Sequence, residues 1–168
     1  RQMCIRDSSK TYPYTILITE DDDEVRGFLE RELSLHFKIR TVANGKDALR
    51  VLEEEEISLV VSDVMMPEMN GFELCRTIKS QLPFSHIPVI LLTALTDERQ
   101  RIFGITGGAD DYIQKPFHTD YVKIKIIHLL QERQKLRERL LEKLRDNKLL
   151  LSEPEKVESI DDTFLRKF

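Results

Sequence analysis

A doubly wound α/β sandwich is the fold this sequence predicts, on three observations. Five short apolar runs alternate with stretches of helical period. Three of the runs are uninterrupted and rich in branched residues, the pattern of parallel strands buried on both faces. Turn-forming pairs such as Asn44-Gly45, Asn70-Gly71 and Gly107-Gly108 fall between the elements. Alternation of this kind implies right-handed crossovers within a domain of about 115 residues.

The five strand candidates are Ile16-Leu17-Ile18, Ile39-Arg40-Thr41-Val42, Leu59-Val60-Val61, Val89-Ile90-Leu91-Leu92 and Tyr112-Ile113. Between and after them lie five helix candidates. Val25, Phe28, Leu29 and Leu33 share one helical face, as do Ala48, Val51 and Leu52. Phe72, Cys75, Ile78 and Leu82 form the third face. Thr96 or Asp97 is placed to cap the fourth helix, after the fourth strand. Val122, Ile126, Leu129 and Leu130 form the last face. Residues 1–13 show no periodic apolar pattern and end at Tyr12-Pro13, so they read as a disordered lead-in, foreign to the natural protein.

Composition narrows the function classes. The chain has 168 residues and a formal net charge of −4, which gives no electrostatic reason for nucleic-acid binding by this stretch. No window approaches the roughly 20 apolar residues of a membrane helix. The two cysteines, Cys4 and Cys75, make neither a disulfide framework nor CxxC spacing, and a reducing, cytoplasmic setting fits them. Charge is uneven along the chain. Residues 131–168 hold 10 basic and 9 acidic side chains, half of that stretch, while residues 1–130 have an ordinary globular balance.

In open parallel sheets ligands bind at the carboxyl ends of the strands. Strand one ends in Thr19-Glu20-Asp21, strand three in Ser62-Asp63, strand four in Thr93-Ala94 and strand five in Gln114-Lys115-Pro116. One sheet edge therefore collects carboxylates, a hydroxyl and an ammonium. Clustered carboxylates repel each other, and a hard cation such as Mg²⁺ relieves that. A carboxylate is also a nucleophile for a phosphoryl group, with a lysine to balance the charge that builds. Taken singly, each group has a plainer reading. Asp22, Asp23 and Glu24 read as helix capping and first-turn acids. Asp63 alone would be a turn residue, Thr93 a strand-end residue and Lys115 a solvated lysine. Four suitable groups at four strand ends of one edge favour the joint reading.

These residues resemble a two-component response-regulator receiver domain. The strings are Leu17-Ile18-Thr19-Glu20-Asp21, Val61-Ser62-Asp63-Val64-Met65-Met66-Pro67-Glu68-Met69-Asn70-Gly71, Leu91-Leu92-Thr93-Ala94 and Gly108-Ala109-Asp110-Asp111-Tyr112-Ile113-Gln114-Lys115-Pro116-Phe117. The resemblance runs from Ile16 to Phe117, about six tenths of the chain. It implies the flavodoxin-like strand order 2-1-3-4-5 and a phosphorelay role. Asp63 resembles the aspartate that accepts a phosphoryl group from a partner kinase's histidine. Glu20, Asp21, Asp63 and the backbone carbonyl of Met65 resemble the Mg²⁺ ligands. Thr93, with Ala94 after it, and Lys115 resemble the switch hydroxyl and the phosphate-pairing lysine. Tyr112 resembles the aromatic that turns inward with the switch, and Lys115-Pro116 the family's cis peptide. Glu20 departs from the pattern, since that position is often Asp; the longer side chain implies weaker or shifted metal affinity. The module implied is a switch rather than an enzyme, apart from its own phosphorylation and dephosphorylation. Phosphorylation repacks the surface of the fourth helix, fifth strand and fifth helix, to control an output such as transcription.

From Thr119 to about Leu151 there is no Gly or Pro, and leucines recur at 129, 130, 136, 140, 141, 144, 149, 150 and 151. That is about 50 Å of helix. The spacings suggest a helical linker over 131–151, with a short coiled coil and a homodimer through it, although Arg133 and Lys143 interrupt the seam. Ser152-Glu153-Pro154 ends the helix. Residues 152–168 read as a connection to a missing output domain. Val157-Glu158-Ser159-Ile160-Asp161-Asp162-Thr163-Phe164-Leu165 resembles the segment before an AraC-type helix-turn-helix, an arrangement of hybrid sensor kinase/response regulators whose parent protein can be membrane-anchored.

Two other functions compete. Asp21-Asp22-Asp23-Glu24-Val25 also fits the D-x-D-x-V pattern of haloacid-dehalogenase-like phosphatases, with Asp21 as nucleophile. Those enzymes need a further acidic motif after the lysine, where this chain has only helix. The third reading is a vestigial interaction domain that is never phosphorylated, against which stands the presence of every reactive group.

Overall fold

The uninterrupted apolar runs become the middle of a sheet. In the computed structural model, which describes residues 10–94 and 108–150 (backbone alone for 148–150), the elements run β1 (Thr15–Thr19), α1 (Asp23–Leu33), β2 (Lys38–Val42), α2 (Gly45–Glu54), β3 (Leu59–Asp63), α3 (Gly71–Ser80), β4 (Val89–Thr93), β5 (Asp111–Gln114) and α4 (Thr119–Leu150). All strands are parallel, in the order β2-β1-β3-β4-β5. This is the flavodoxin-like order expected. The helix expected between β4 and β5, with its cap at Thr96 or Asp97, lies outside the described residues.

Strand side chains alternate between the two faces. Leu17, Val60, Val89 and Leu91 point to the side covered by Ala48, Val51 and Leu52 of α2 and Phe72, Leu74, Cys75 and Ile78 of α3. Ile16, Ile18, Leu59, Val61, Ile90, Leu92 and Ile113 point to the other, covered by Leu29 and Leu33 of α1 and Val122, Ile126 and Leu130 of α4. The central strands have buried side chains on both faces, which is why their sequences do not alternate.

The first three helices each start on a side-chain cap. Asp22 accepts from the backbone N–H groups of Glu24 and Val25 to open α1. Asn44 accepts from Asp47 N to open α2. Asn70 forms a capping box with Glu73 to open α3. The Asn-Gly pairs read as turns are thus also helix starts, since a short side-chain carbonyl satisfies N–H groups the first turn leaves unpaired.

Three expectations need correction. Phe28 is 47% exposed rather than core, because α1 buries a stripe only as wide as Leu29 and Leu33, with Val25 at its edge. Leu82 is 89% exposed, because α3 stops at Ser80 and Leu82 lies beyond the helical phase that would have buried it. The disordered lead-in assigned to residues 1–13 fails at its C-terminal end. Tyr12 N–H donates to the His36 carbonyl at 2.7 Å, and the Tyr12 ring stacks on Phe37 and Tyr14. His36 Nδ1 meets the Lys10 carbonyl at 2.8 Å. Residues 1–9 lie outside the described residues.

The chain divides into two units, residues 1–130 and 131–168. Within the second, residues 131–150 continue α4, with Leu136, Leu140 and Leu141 exposed. Among the described residues no helix is long and apolar enough to cross a membrane.

Candidate functional site

Register builds the site. Thr19 pairs with Ser62, so the next residues along β1 and β3, Glu20 and Asp63, emerge side by side. Asp63 pairs with Leu92 and Thr93 with Gln114, so Thr93 and Lys115 follow one step beyond. Lys115 N–H donates to the Thr93 carbonyl at 2.7 Å, which continues the β4–β5 ladder into the site. The Lys115-Pro116 peptide is cis, as the resemblance implied.

Carboxylate oxygens of Glu20, Asp21 and Asp63 lie within 4.8 Å of one another. Glu20 is 2% exposed and Asp63 5%, while Asp21 is exposed. Lys115 Nζ sits 2.8 Å from Asp63 Oδ1 and 3.8 Å from Glu20 Oε2. The Lys115 ammonium therefore faces two of the three carboxylates. Asp63 receives the close contact, and Glu20 is left undercompensated. Burial pushes the Glu20 carboxyl up to about 7, opposed by the Asp22 N–H that donates to its Oε1 at 3.1 Å and helped by the Asp63 charge. Glu20 Oε2 is buried with no hydrogen-bond partner. An orphaned hard oxygen beside two more carboxylates is the donor set that Mg²⁺ accepts, so these residues fit that cation.

The loop after β3 is shaped for close approach. Gly71 N–H donates to the Val64 carbonyl at 2.8 Å, which draws the start of α3 against the end of β3. A Cβ at Gly71 would stand 2.5 Å from the Asp63 carbonyl oxygen and 2.8 Å from Val64 Cα, so no other residue fits without displacing Asp63. Met65 follows Asp63 by two residues with an exposed side chain, and Ala94 is exposed just past β4. Thr93 is half-buried at the end of β4.

Tyr112 packs against the α2–α3 side of the sheet. Its hydroxyl is buried without a partner, and burial pushes the phenol up to about 12. The amino ends of β4 and β5 carry a structural ion pair. Lys79 Nζ reaches Asp110 Oδ2 at 2.8 Å and the Ile87 carbonyl at 2.8 Å, while Asp110 also accepts from Val89 N–H. That network ties α3 to the approach of β5.

Sequence reasoning missed Arg26. Its guanidinium donates to the Glu20 carbonyl at 2.8 Å and pairs with Asp23. An arginine six residues after Glu20 matches no periodicity that would have flagged it; a basic residue in the first turn of a helix, against the dipole, was the available signal.

Several known proteins are similar to this chain. The transcriptional regulatory protein GltR of Pseudomonas aeruginosa is 44% identical over 121 residues, 71% of this chain and 50% of that protein. Histidine kinase P4 of Formosa agariphila is 38% identical over 153 residues, 91% of this chain but 11% of that protein. This chain thus spans half the length of the first and about a tenth of the second. Among solved structures, the receiver domain of a signal transduction histidine kinase from Syntrophus aciditrophicus aligns with a TM-score of 0.68 at 38% identity, over 71% of this chain and 91% of that one. The receiver domain of a sensor histidine kinase from Pseudomonas aeruginosa, which holds a magnesium ion in its active-site cleft, aligns with a TM-score of 0.63 at 25% identity, over 71% of this chain and 99% of that one. Residues 16–127, two thirds of the chain, match the family model of the response regulator receiver domain, and the chain belongs to that family of two-component signalling domains.

Proposed function

We propose that Asp63 accepts a phosphoryl group from a phosphohistidine of a partner kinase. The observation that carries this is the Lys115–Asp63 contact of 2.8 Å inside a cluster of three carboxylates. In the transfer a carboxylate oxygen of Asp63 forms a bond to phosphorus, and the phosphorus–nitrogen bond to the histidine breaks, its electron pair returning to the imidazole. Glu20, Asp21, Asp63 and the Met65 carbonyl would hold Mg²⁺, which when bound would supply positive charge against the carboxylates and the phosphoryl oxygens. Lys115 orients Asp63 beforehand and then pairs with the phosphoryl oxygens. The Thr93 hydroxyl donates to one of those oxygens, and Ala94 follows it as the chain shifts. Tyr112, already inside the β5 edge, occupies the space that this shift rearranges. The switched surface then governs an output domain.

The pairing of Lys115 with Asp63 favours Asp63 over Asp21 as the nucleophile, and so favours the phosphoacceptor over the phosphatase reading. The match to histidine kinase P4 supports a longer parent. An alignment of 153 residues within 168 must begin by residue 16 and run to residue 153 or beyond, so it takes in all of α4. We place the chain in a hybrid sensor kinase/response regulator, with α4 joining the receiver to an AraC-type output and the exposed leucines pairing two copies. A cytoplasmic location follows from that role.

The test is intact-protein mass after incubation with acetyl phosphate, with and without Mg²⁺. One added phosphoryl that requires Mg²⁺ and is lost in Asp63→Asn is the expected result. A folded protein that gains none, beside a working control receiver, overturns it.

A further inference from the structure

We infer that Arg26 is a positioning residue for the divalent cation, acting through the backbone of Glu20; the inference rests on the receiver reading above. The chain leaves the sheet at Glu20. Its N–H is spent on the Val42 carbonyl at 3.1 Å, the last rung toward β2. Its carbonyl has turned off the ladder and is held by Arg26 Nη1 at 2.8 Å. The other arm of the guanidinium pairs with Asp23, in the same helical turn. At the side-chain end, Glu20 Oε1 accepts from Asp22 N–H at 3.1 Å. Glu20 is therefore gripped at both ends by α1 and its N-cap, and its buried Oε2 has no hydrogen-bond partner, only the Lys115 ammonium at 3.8 Å. That oxygen belongs to the carboxylate cluster with Asp21 and Asp63.

The grip has a physical purpose. Three carboxylates within 4.8 Å repel one another, and the β1–α1 turn that carries two of them is the part free to splay. A fork that binds a carbonyl and a carboxylate at once ties this turn to the first turn of α1. Arg26 thus keeps the acids converged while no cation is there to hold them, and lowers the ordering that binding must accomplish.

This makes a prediction opposite in sign to simple electrostatics. Arg26 is a cation near a cation site, so on Coulomb's law alone its removal tightens Mg²⁺. If Arg26 acts by position, its removal weakens Mg²⁺. The experiment is calorimetric titration of the full chain with Mg²⁺, for wild type, Arg26→Met and Arg26→Lys, with thermal unfolding in EDTA to establish that each is folded. Removal of an outer-shell partner costs about 10-fold or more in metal affinity. The expected result for Arg26→Met is a Kd about 10-fold above wild type, with acetyl phosphate labelling restored at high Mg²⁺. A Kd equal to or below wild type overturns the inference. Should Arg26→Met fail to fold, Arg26→Lys decides, since one ammonium keeps the charge without the fork: a raised Kd supports positioning, and an unchanged or lowered one overturns it. A wild-type chain that binds no Mg²⁺ overturns the receiver chemistry and this inference with it; a wild type that binds, beside an unaffected variant, overturns this inference alone.

Discussion

Lys115 Nζ lies 2.8 Å from Asp63 Oδ1, and that single contact is the only one closer than 3 Å between a described side-chain cation and the carboxylate cluster of Glu20, Asp21 and Asp63. It brings the end of β5 to the end of β3, across β4. It also divides one positive charge unequally between Asp63 and Glu20, and most of the site's expected behaviour follows from that imbalance.

Lys115→Ala leaves Asp63 buried with its compensating charge gone. Lys115 is itself 30% exposed, so water and salt screen part of the loss. The expected destabilisation in EDTA is about 1–3 kcal/mol, and Mg²⁺ should recover most of it by replacing the ammonium. Urea unfolding with and without Mg²⁺ checks both parts. A loss that Mg²⁺ does not recover would show that the lysine acts elsewhere.

Glu20 gives the site a pH dependence. Its carboxyl is raised from an ordinary 4.5 to about 7 by burial, so the folded chain binds this proton more tightly than the unfolded chain does. Stability from this group is complete below about pH 4.5 and is lost as pH rises to about 7. Glu20→Gln does not titrate. In EDTA it should be more stable than wild type at pH 8, by about 1–3 kcal/mol, and the gap should close toward pH 4.5. Saturating Mg²⁺ should reverse the order at pH 8. Denaturation at both pH values, with each additive, measures all of this.

Gly71→Ala places a methyl where the Asp63 carbonyl and Val64 Cα already stand. Both are backbone, so no side chain can swing aside. The expected cost is about 1–3 kcal/mol, together with slower labelling of Asp63, because the strand end that carries it must move. Melting temperature and phosphorylation rate should fall together in this variant; a rate unchanged beside a lowered melting temperature would separate Asp63 from the α3 start.

Tyr112→Phe removes a buried hydroxyl that has no partner. Nothing is lost with it but a desolvation cost, so the variant should be as stable as wild type or up to about 1 kcal/mol more stable. A destabilisation above about 1 kcal/mol in urea would mean that the hydroxyl has a partner in solution.

The proposed pairing of two copies through α4 is tested by sedimentation equilibrium. Leu136 and Leu140 are exposed and one helical turn apart. Leu140→Glu should convert a dimer to a monomer of unchanged helix content, because it puts like charges face to face in the seam. A wild-type chain that stays monomeric at high concentration would remove the homodimer.

The sequence by itself determined the fold class, the rank of the strands and the groups at the sheet edge. Ile16-Leu17-Ile18, Leu59-Val60-Val61 and Val89–Leu92 are apolar at every position because both sheet faces are covered, and this is visible without coordinates. The positions of Asp63, Glu20, Thr93 and Lys115 followed, since strand ends in a parallel sheet all open on one edge. Only the tertiary structure decided which groups share a charge. Lys115 chooses Asp63 over Glu20 by about 1 Å, a difference set by register and by the turn after β5 rather than by residue type. It alone decided that Arg26 holds the Glu20 carbonyl, that Gly71 is pressed against Asp63, and that Tyr12 docks on Phe37. Periodicity reports which face a side chain takes; contacts between separate elements depend on where the chain turns between them. The end of α3 at Ser80 leaves Leu82 in water, and the narrow buried stripe of α1 leaves Phe28 there, although their spacing pointed inward.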